Sequence, residues 1–193
     1  MRIGLTGGIG CGKTAAAACF GRRGYQVICA DRLAHAALLD PALVREIQSR
    51  WGDESLLENG LPDRDFIAER VFSEPTELRW LESRIHPRIR REWQEAIRDS
   101  AHDWVVDVPL LFEKGWQGDF DTTVAVVSKP QVQVQRLLGR GWTRAQIQAR
   151  LAAQLPVEEK ARRADHVLTN DGTLEQLEAQ VTALVAQLRA SRA

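Results

Sequence analysis

Ile3-Gly4-Leu5-Thr6-Gly7-Gly8-Ile9-Gly10-Cys11-Gly12-Lys13-Thr14 opens the chain with a short apolar strand that runs straight into a complete match to the phosphate-loop pattern G-x-x-x-x-G-K-[ST]. Glycines let the backbone fold tightly and bring several N–H groups to one point. The N-terminus of a helix beginning near Gly12 turns the positive end of its dipole to the same point. The loop is therefore built for an anion. Gly8, Gly10, Cys11, Gly12, Lys13, Thr14 and Ala15 are the expected nucleotide contacts. Lys13 would reach the β- and γ-phosphates of a bound nucleotide as a mobile charge, and the Thr14 hydroxyl would complete the shell of a Mg²⁺ ion. A glycine-rich turn that binds nothing is the competing reading, but a strand before the loop and the helix-forming run 14–20 after it disfavour that.

The composition narrows the class. The chain has 193 residues, 44% of them hydrophobic and 27% charged, with a formal net charge of zero and a pI near 6.9. One core fits this length, with room for inserted arms. Charge balance without a long basic block argues against a protein that holds nucleic acid by neutralising many phosphates. No stretch approaches the roughly 20 apolar residues of a membrane span, and the N-terminus enters the loop strand at once, so a cytoplasmic location with no membrane partner is expected. No obligate protein partner is evident. Cys11, Cys19 and Cys29 form neither an even disulfide set nor a metal-ligand spacing. Cys19 and Cys29 read as buried small apolar residues, and Cys11 as a loop position with an incidental side chain. A redox-sensitive Cys11 near the helix N-terminus is the minority alternative.

Along the chain, residues 3–6, 25–29, 104–108, 122–127 and 166–169 read as strands separated by helical stretches. Near-continuous apolar strands alternating with helices predict an α/β fold with a five-stranded parallel sheet flanked by helices. Right-handed crossovers place the residues after the strands on one sheet edge, where ligands bind. The last helix is announced by a Thr173/Gln176 capping box and an apolar stripe of Leu174, Leu177, Val181, Leu184, Val185 and Leu188. Two segments exceed a minimal sheet. A crossover needs only about a dozen residues, so residues 31–103, with the helical patterns Leu38, Leu39, Leu43, Ile47, then Phe66, Ile67, Val71, Phe72, then Leu78, Leu81, Ile85, Ile89, form a helical arm suited to closing over a second substrate. Residues 131–155 carry Gln135, Arg136, Arg140, Arg144 and Arg150, with a Thr143/Gln146 capping box. They read as a small lid, with Arg136 and Arg140 the candidates for contact with transferring phosphates and a solvated helix face the plain alternative. Residues 1–30, 104–130 and 156–193 are then the nucleotide-binding core of a single P-loop unit.

Residues 6–10 leading into the loop, Asp31 after strand two, Ile85-His86-Pro87, Val108-Pro109-Leu110-Leu111-Phe112-Glu113, Gln135-Arg136 with Arg140, residues 150–154, and Ala164-Asp165 with Asn170 together resemble the dephospho-coenzyme A kinase family over almost the whole chain. Thr14 where serine is frequent, Cys11 in the loop and Trp142 in the lid are the departures. The resemblance implies a P-loop kinase that moves the ATP γ-phosphoryl group to the ribose 3′-hydroxyl of dephospho-coenzyme A, with Mg²⁺ as cofactor.

Phosphoryl transfer asks the protein for alignment and charge stabilisation around a loose transition state. Lys13 and Arg140 are the expected electrostatic contributors. Asp31, at the carboxyl end of strand two, is the candidate to orient the hydroxyl and accept its proton; its plain alternative is an N-cap for a helix starting at Arg32. Asp107 resembles a strand-end carboxylate that holds Mg²⁺ together with Thr14, or one that merely accepts a bond from Thr14. The resemblance assigns His86 to the acceptor site, whereas Pro87 alone would mark a break between two helices. Glu113 would bond polar groups of the acceptor or support the arm. Asn170 would meet the adenine, or serve an Asn-Asp-Gly turn. The six tryptophans read as packing, with Trp142 able to flank a base. Another small-molecule kinase, a nucleotide-operated switch and a pure binding module are the alternative functions. The switch is disfavoured by the lack of an N-K-x-D run.

Overall fold

The computed structural model describes residues 1–191. In chain order its elements are β1 (Arg2–Gly7), α1 (Lys13–Gly21), β2 (Gln26–Cys29), α2 (Ala30–Ala37), α3 (Pro41–Trp51), α4 (Arg64–Ser73) and α5 (Pro75–Ala96). There follow β3 (Trp104–Asp107), β4 (Thr122–Val127), α6 (Pro130–Leu138), α7 (Arg144–Ala152), α8 (Val157–Arg163), β5 (His166–Thr169) and α9 (Leu174–Ala190). All five strands join one parallel sheet in the order β2-β3-β1-β4-β5. The chain leaves β1 toward the β2 side and later returns to lay β4 on the opposite side of β1, so the strand order switches beside the phosphate loop, where such sheets form their ligand crevice.

Period-two alternation gives β1 two buried faces. Ile3 and Leu5 have no solvent exposure and join Val105, Val124 and Val126 in a core with Phe20 of α1 and Val181, Leu184 and Val185 of α9. The opposite face at Gly4 is met so closely by Phe120 and Leu111 that a Cβ there would collide. Both capping boxes, Thr143/Gln146 on α7 and Thr173/Gln176 on α9, are present. Along α9 the stripe is buried from Leu177 onward, while Leu174, in the first turn, is exposed.

The chain divides into two compact units: Met1–Cys29 with the chain from Asp99 onward, and Ala30–Arg98. The second unit is helical. Asp40 caps α3 by accepting from the N–H groups of Ala42 and Leu43, and Asp63 caps α4 in the same way. Its core is Leu43, Ile47 and Trp51 of α3, Ile67 and Val71 of α4, and Leu81, Ile85, Ile89 and Trp93 of α5. Leu39, Phe72 and Leu78, counted in the predicted apolar faces, are exposed.

Two of the alternative readings are set aside here. Pro87 does not separate two helices but sits inside the continuous α5. A proline there removes one backbone donor and crowds the preceding turn. The Arg88 guanidinium donates to the Arg84 carbonyl at 2.8 Å, and the stripe Leu81, Ile85, Ile89, Trp93 at four-residue spacing holds the helix together across the defect. Asp31 is not an N-cap, because α2 begins at Ala30 and Asp31 lies within its first turn.

Candidate active site

The carboxyl ends of β1, β3 and β4 lie side by side, with Leu5 opposite Asp107 on one flank and Val124 on the other. From this edge the loop turns through Gly10 and Gly12 into α1. Gly12 is the N-cap of α1 at φ 90°, in the left-handed region, and a Cβ on it would strike the Asn170 amide nitrogen. Only glycine serves there. The first N–H groups of α1 have no intrahelical acceptor, so they and the helix dipole face whatever anion the loop holds. The Lys13 ammonium donates to the carbonyls of Gly7 at 3.3 Å and Gly8 at 3.4 Å. Among the described residues it forms no ion pair, so its charge is directed by neutral oxygens that a phosphate can replace. Thr14 is exposed at the first turn of α1, and Ala15 packs beside the core.

Buried polar side chains brace this loop from behind. The Asn170 amide donates to the Cys11 carbonyl at 2.9 Å, and the Ser128 hydroxyl donates to the Asn170 carbonyl at 2.7 Å. The Gln133 amide donates to the Ser128 carbonyl at 2.8 Å. Arg136 adds longer contacts to the Gly10 carbonyl at 3.4 Å, the Ser128 hydroxyl at 3.3 Å and the Asn170 amide oxygen at 3.5 Å. Ser128, Gln133 and Asn170 are all buried. The connections after β4 and β5 are thus tied to the phosphate loop, and the Asn170 side chain, expected beside adenine, is turned onto the loop backbone.

Cys11 differs from the expectation of an incidental side chain: it has no solvent exposure and belongs to the core. Burial pushes its thiol above the ordinary range, more than the neighbouring Lys13 charge lowers it. That removes the basis for a reactive thiolate, which needs a lowered pKa and access. Cys19 is buried as expected, whereas Cys29 is only partly so.

Asp107 ends β3 and is buried. Glu113 is drawn into an ion pair with Lys160 of α8 at 2.8 Å. Its Oε1 also accepts from the Leu155 N–H at 2.9 Å, while Oε2 is buried without a hydrogen-bond partner among the described residues. Arg140 is exposed in the turn between α6 and α7, and the Trp142 ring, a candidate to flank a base, lies under the Arg150 guanidinium at 5.1 Å. Asp31 and His86 belong to the helical unit, on α2 and α5. Asp31 is exposed and His86 half-buried. The structure therefore gathers residues 8–15 with Arg136 and Asn170, and separately joins Glu113 to Lys160.

Ser128, Gln133 and Lys160 escape a sequence reading. Lys160 sits in the run Glu158-Glu159-Lys160-Ala161-Arg162-Arg163, which has the look of a solvated helix face. The one available signal is Pro156 before it, which sets the start of α8 and hence which face turns inward.

Comparison with known proteins gives one consistent answer. A family profile described as dephospho-CoA kinase matches residues 1–176. A dephospho-CoA kinase of Anaeromyxobacter dehalogenans is 43% identical, covering 98% of this chain and 93% of that protein, and one of Thermus thermophilus is 40% identical, covering 96% and 91%. A crystal structure of the Thermus thermophilus protein TT1252 is 39% identical with a TM-score of 0.83, covering 97% of each chain. A shikimate kinase from Bacteroides thetaiotaomicron, 18% identical with a TM-score of 0.57, covers 98% of each chain and shares the fold alone. With the whole sheet, the phosphate loop and the segments after its strands included in these matches, the chain belongs to the dephospho-CoA kinase family.

Proposed function

We propose that the protein is an ATP-dependent kinase that transfers the γ-phosphoryl group of ATP to the ribose 3′-hydroxyl of dephospho-coenzyme A, giving ADP and coenzyme A. The observation that carries this reading is the family match over residues 1–176 on a chain whose Gly7–Thr14 loop is intact and holds the Lys13 ammonium, with no ion pair among the described residues, against its Gly7 and Gly8 carbonyls.

In this reading the N–H groups at the start of α1 cradle the β-phosphate, and Lys13 moves from the Gly7 and Gly8 carbonyls onto the β- and γ-oxygens. Arg136 stands behind the same loop, and Arg140 supplies a second positive charge to the transferring group. These charges count most where charge is spread in the transition state. The Asn170 amide holds the Cys11 carbonyl and so fixes the nucleotide loop. Asp31, whose carboxylate makes no hydrogen bond or ion pair among the described residues, orients the 3′-hydroxyl and takes its proton as the oxygen attacks the γ-phosphorus and the bond to the ADP oxygen breaks. His86 serves the acceptor, while Glu113 anchors the segment after β3 through its ion pair with Lys160.

The Thr14 hydroxyl and the Asp107 carboxylate are hard oxygen donors, the set that Mg²⁺ takes alongside phosphate oxygens and water. When bound, Mg²⁺ neutralises charge on the β- and γ-phosphates. The test is to incubate the protein with ATP and a panel of hydroxyl acceptors and to identify the phosphorylated product by mass. Dephospho-coenzyme A should be converted and shikimate and nucleoside monophosphates should not; the opposite preference would overturn the assignment.

A further inference from the structure

Lys160 has no solvent exposure, a state that lysine almost never reaches unless paired. Its Nζ donates to the Pro109 carbonyl at 2.6 Å and pairs with Glu113 Oε1 at 2.8 Å. The same Oε1 accepts from the Leu155 N–H at 2.9 Å, and the Pro109 carbonyl also accepts from the Thr6 hydroxyl at 3.3 Å. One ammonium thus ties the end of β1, just before the phosphate loop, to the segment after β3, to the exit of α7 and to α8. Removing the ammonium from water pushes its pKa below the ordinary lysine range, and Glu113 opposes that shift.

A buried ion pair is weak as a source of stability, because an apolar pair of similar volume often serves as well. Its distinctive property is fixed geometry. Residues 130–152, which carry Arg136 and Arg140, are joined to the sheet at two ends. One end is Ser128 at the close of β4, and the other is Leu155, bonded to Glu113. We infer that Lys160 is a positioning residue for phosphoryl transfer, fixing the exit of the α6–α7 segment against residues 109–113 so that its arginines stay aligned with the transferring group. The inference rests on the kinase reading above. Misplacement by about 1 Å can cost roughly 10²-fold in rate, so loss of the tie should be read in turnover.

The variants are Lys160→Met and the double variant Lys160→Met with Glu113→Gln, each studied as the full chain. Lys160→Met alone leaves the Glu113 carboxylate in place without its cation, and its melting temperature should fall by roughly 6–20 °C. The double variant should recover most of that loss. Its kcat should nevertheless be about 10- to 100-fold below wild type, with the KM for ATP within about threefold. Amide hydrogen exchange over residues 153–160 should be at least about tenfold faster than in wild type with ATP bound. A double variant with wild-type melting, kcat and exchange would reduce Lys160 to packing and overturn the inference while leaving the kinase intact. A wild-type protein that binds ATP and transfers nothing to dephospho-coenzyme A would overturn the kinase reading instead, and the role of Lys160 with it.

Discussion

Buried polar side chains are concentrated in one of the two units. Around the phosphate loop Ser128, Gln133, Asn170 and Lys160 are buried, and each donates to a backbone carbonyl: those of Asn170, Ser128, Cys11 and Pro109 respectively. In the helical unit the charged groups pair mainly with each other at the surface, as Arg84 and Arg88 do with Glu46, while apolar stripes hold the helices. Buried donors leave little freedom to the backbone they bond, because an unmade bond in that environment costs about 1–3 kcal/mol. Exposed pairs contribute about 0–1 kcal/mol and constrain little. The difference teaches that the first region is built to hold a shape and the second to hold together. Substitutions of the phosphate loop's own solvent-accessible groups should therefore act on rate, and substitutions of the helical unit's paired side chains on stability.

The largest expected effect sharpens the first half of that contrast. Lys13→Ala removes two long bonds to carbonyls and no ion pair, so its melting temperature should change little. Turnover should fall by about 10³–10⁵-fold, the scale of a lost cation at a transferring phosphoryl group. Steady-state kinetics beside a thermal melt decide it. Turnover near wild type would remove the loop from the mechanism.

Asp31 is where the contrast should break. It belongs to the helical unit, yet it is the proposed proton acceptor. Asp31→Asn preserves size and a polar oxygen in the first turn of α2, so stability should hold while transfer falls by roughly 10²–10⁴-fold. ATP binding, followed by calorimetry, should be retained. Unchanged transfer in a stable variant would return Asp31 to a purely structural place.

The smallest effect belongs to Glu77, a buried charged side chain within the helical unit. Its carboxylate receives Arg50 at 2.6 and 2.8 Å and the Trp51 indole N–H at 2.7 Å. The Arg50 guanidinium, followed by Trp51, holds its pKa down at about 2, against an ordinary 4.5. A carboxyl whose folded pKa is depressed stabilises the protein above its unfolded pKa and loses that contribution as the pH falls through the folded one. Glu77→Gln should therefore melt lower than wild type at pH 7, and the gap should close as the pH falls from about 4.5 to about 2. Melts of both proteins across that range test it; a gap as wide at pH 2 as at pH 7 would show that the charge is not what Arg50 and Trp51 recognise. The rate of the folded variant at pH 7 should match wild type.

Much of the core was legible because its signals are local. The glycine loop, the strands at residues 122–127 and 166–169 and the two capping boxes each depend on neighbours within a few residues. A helix break at Pro87 was the wrong alternative because a local helix breaker is overridden by a stripe of buried side chains, with the Arg88 guanidinium adding a bond to the Arg84 carbonyl in the same turn. Lys160 and Ser128 were invisible because their partners, at Pro109, Glu113 and Asn170, are brought close only by the sheet order. Asn170 was seen as important, but the direction of its amide depends on that same long-range placement.

The central claim is that the chain phosphorylates one particular hydroxyl. It is tested most directly by incubating the protein with dephospho-coenzyme A and ATP labelled at the γ-phosphate, then locating the label by phosphorus NMR. The account predicts a new labelled phosphomonoester on the ribose 3′-oxygen, formed together with ADP and lost in Lys13→Ala. Label recovered only as inorganic phosphate, or on any other oxygen, would contradict it.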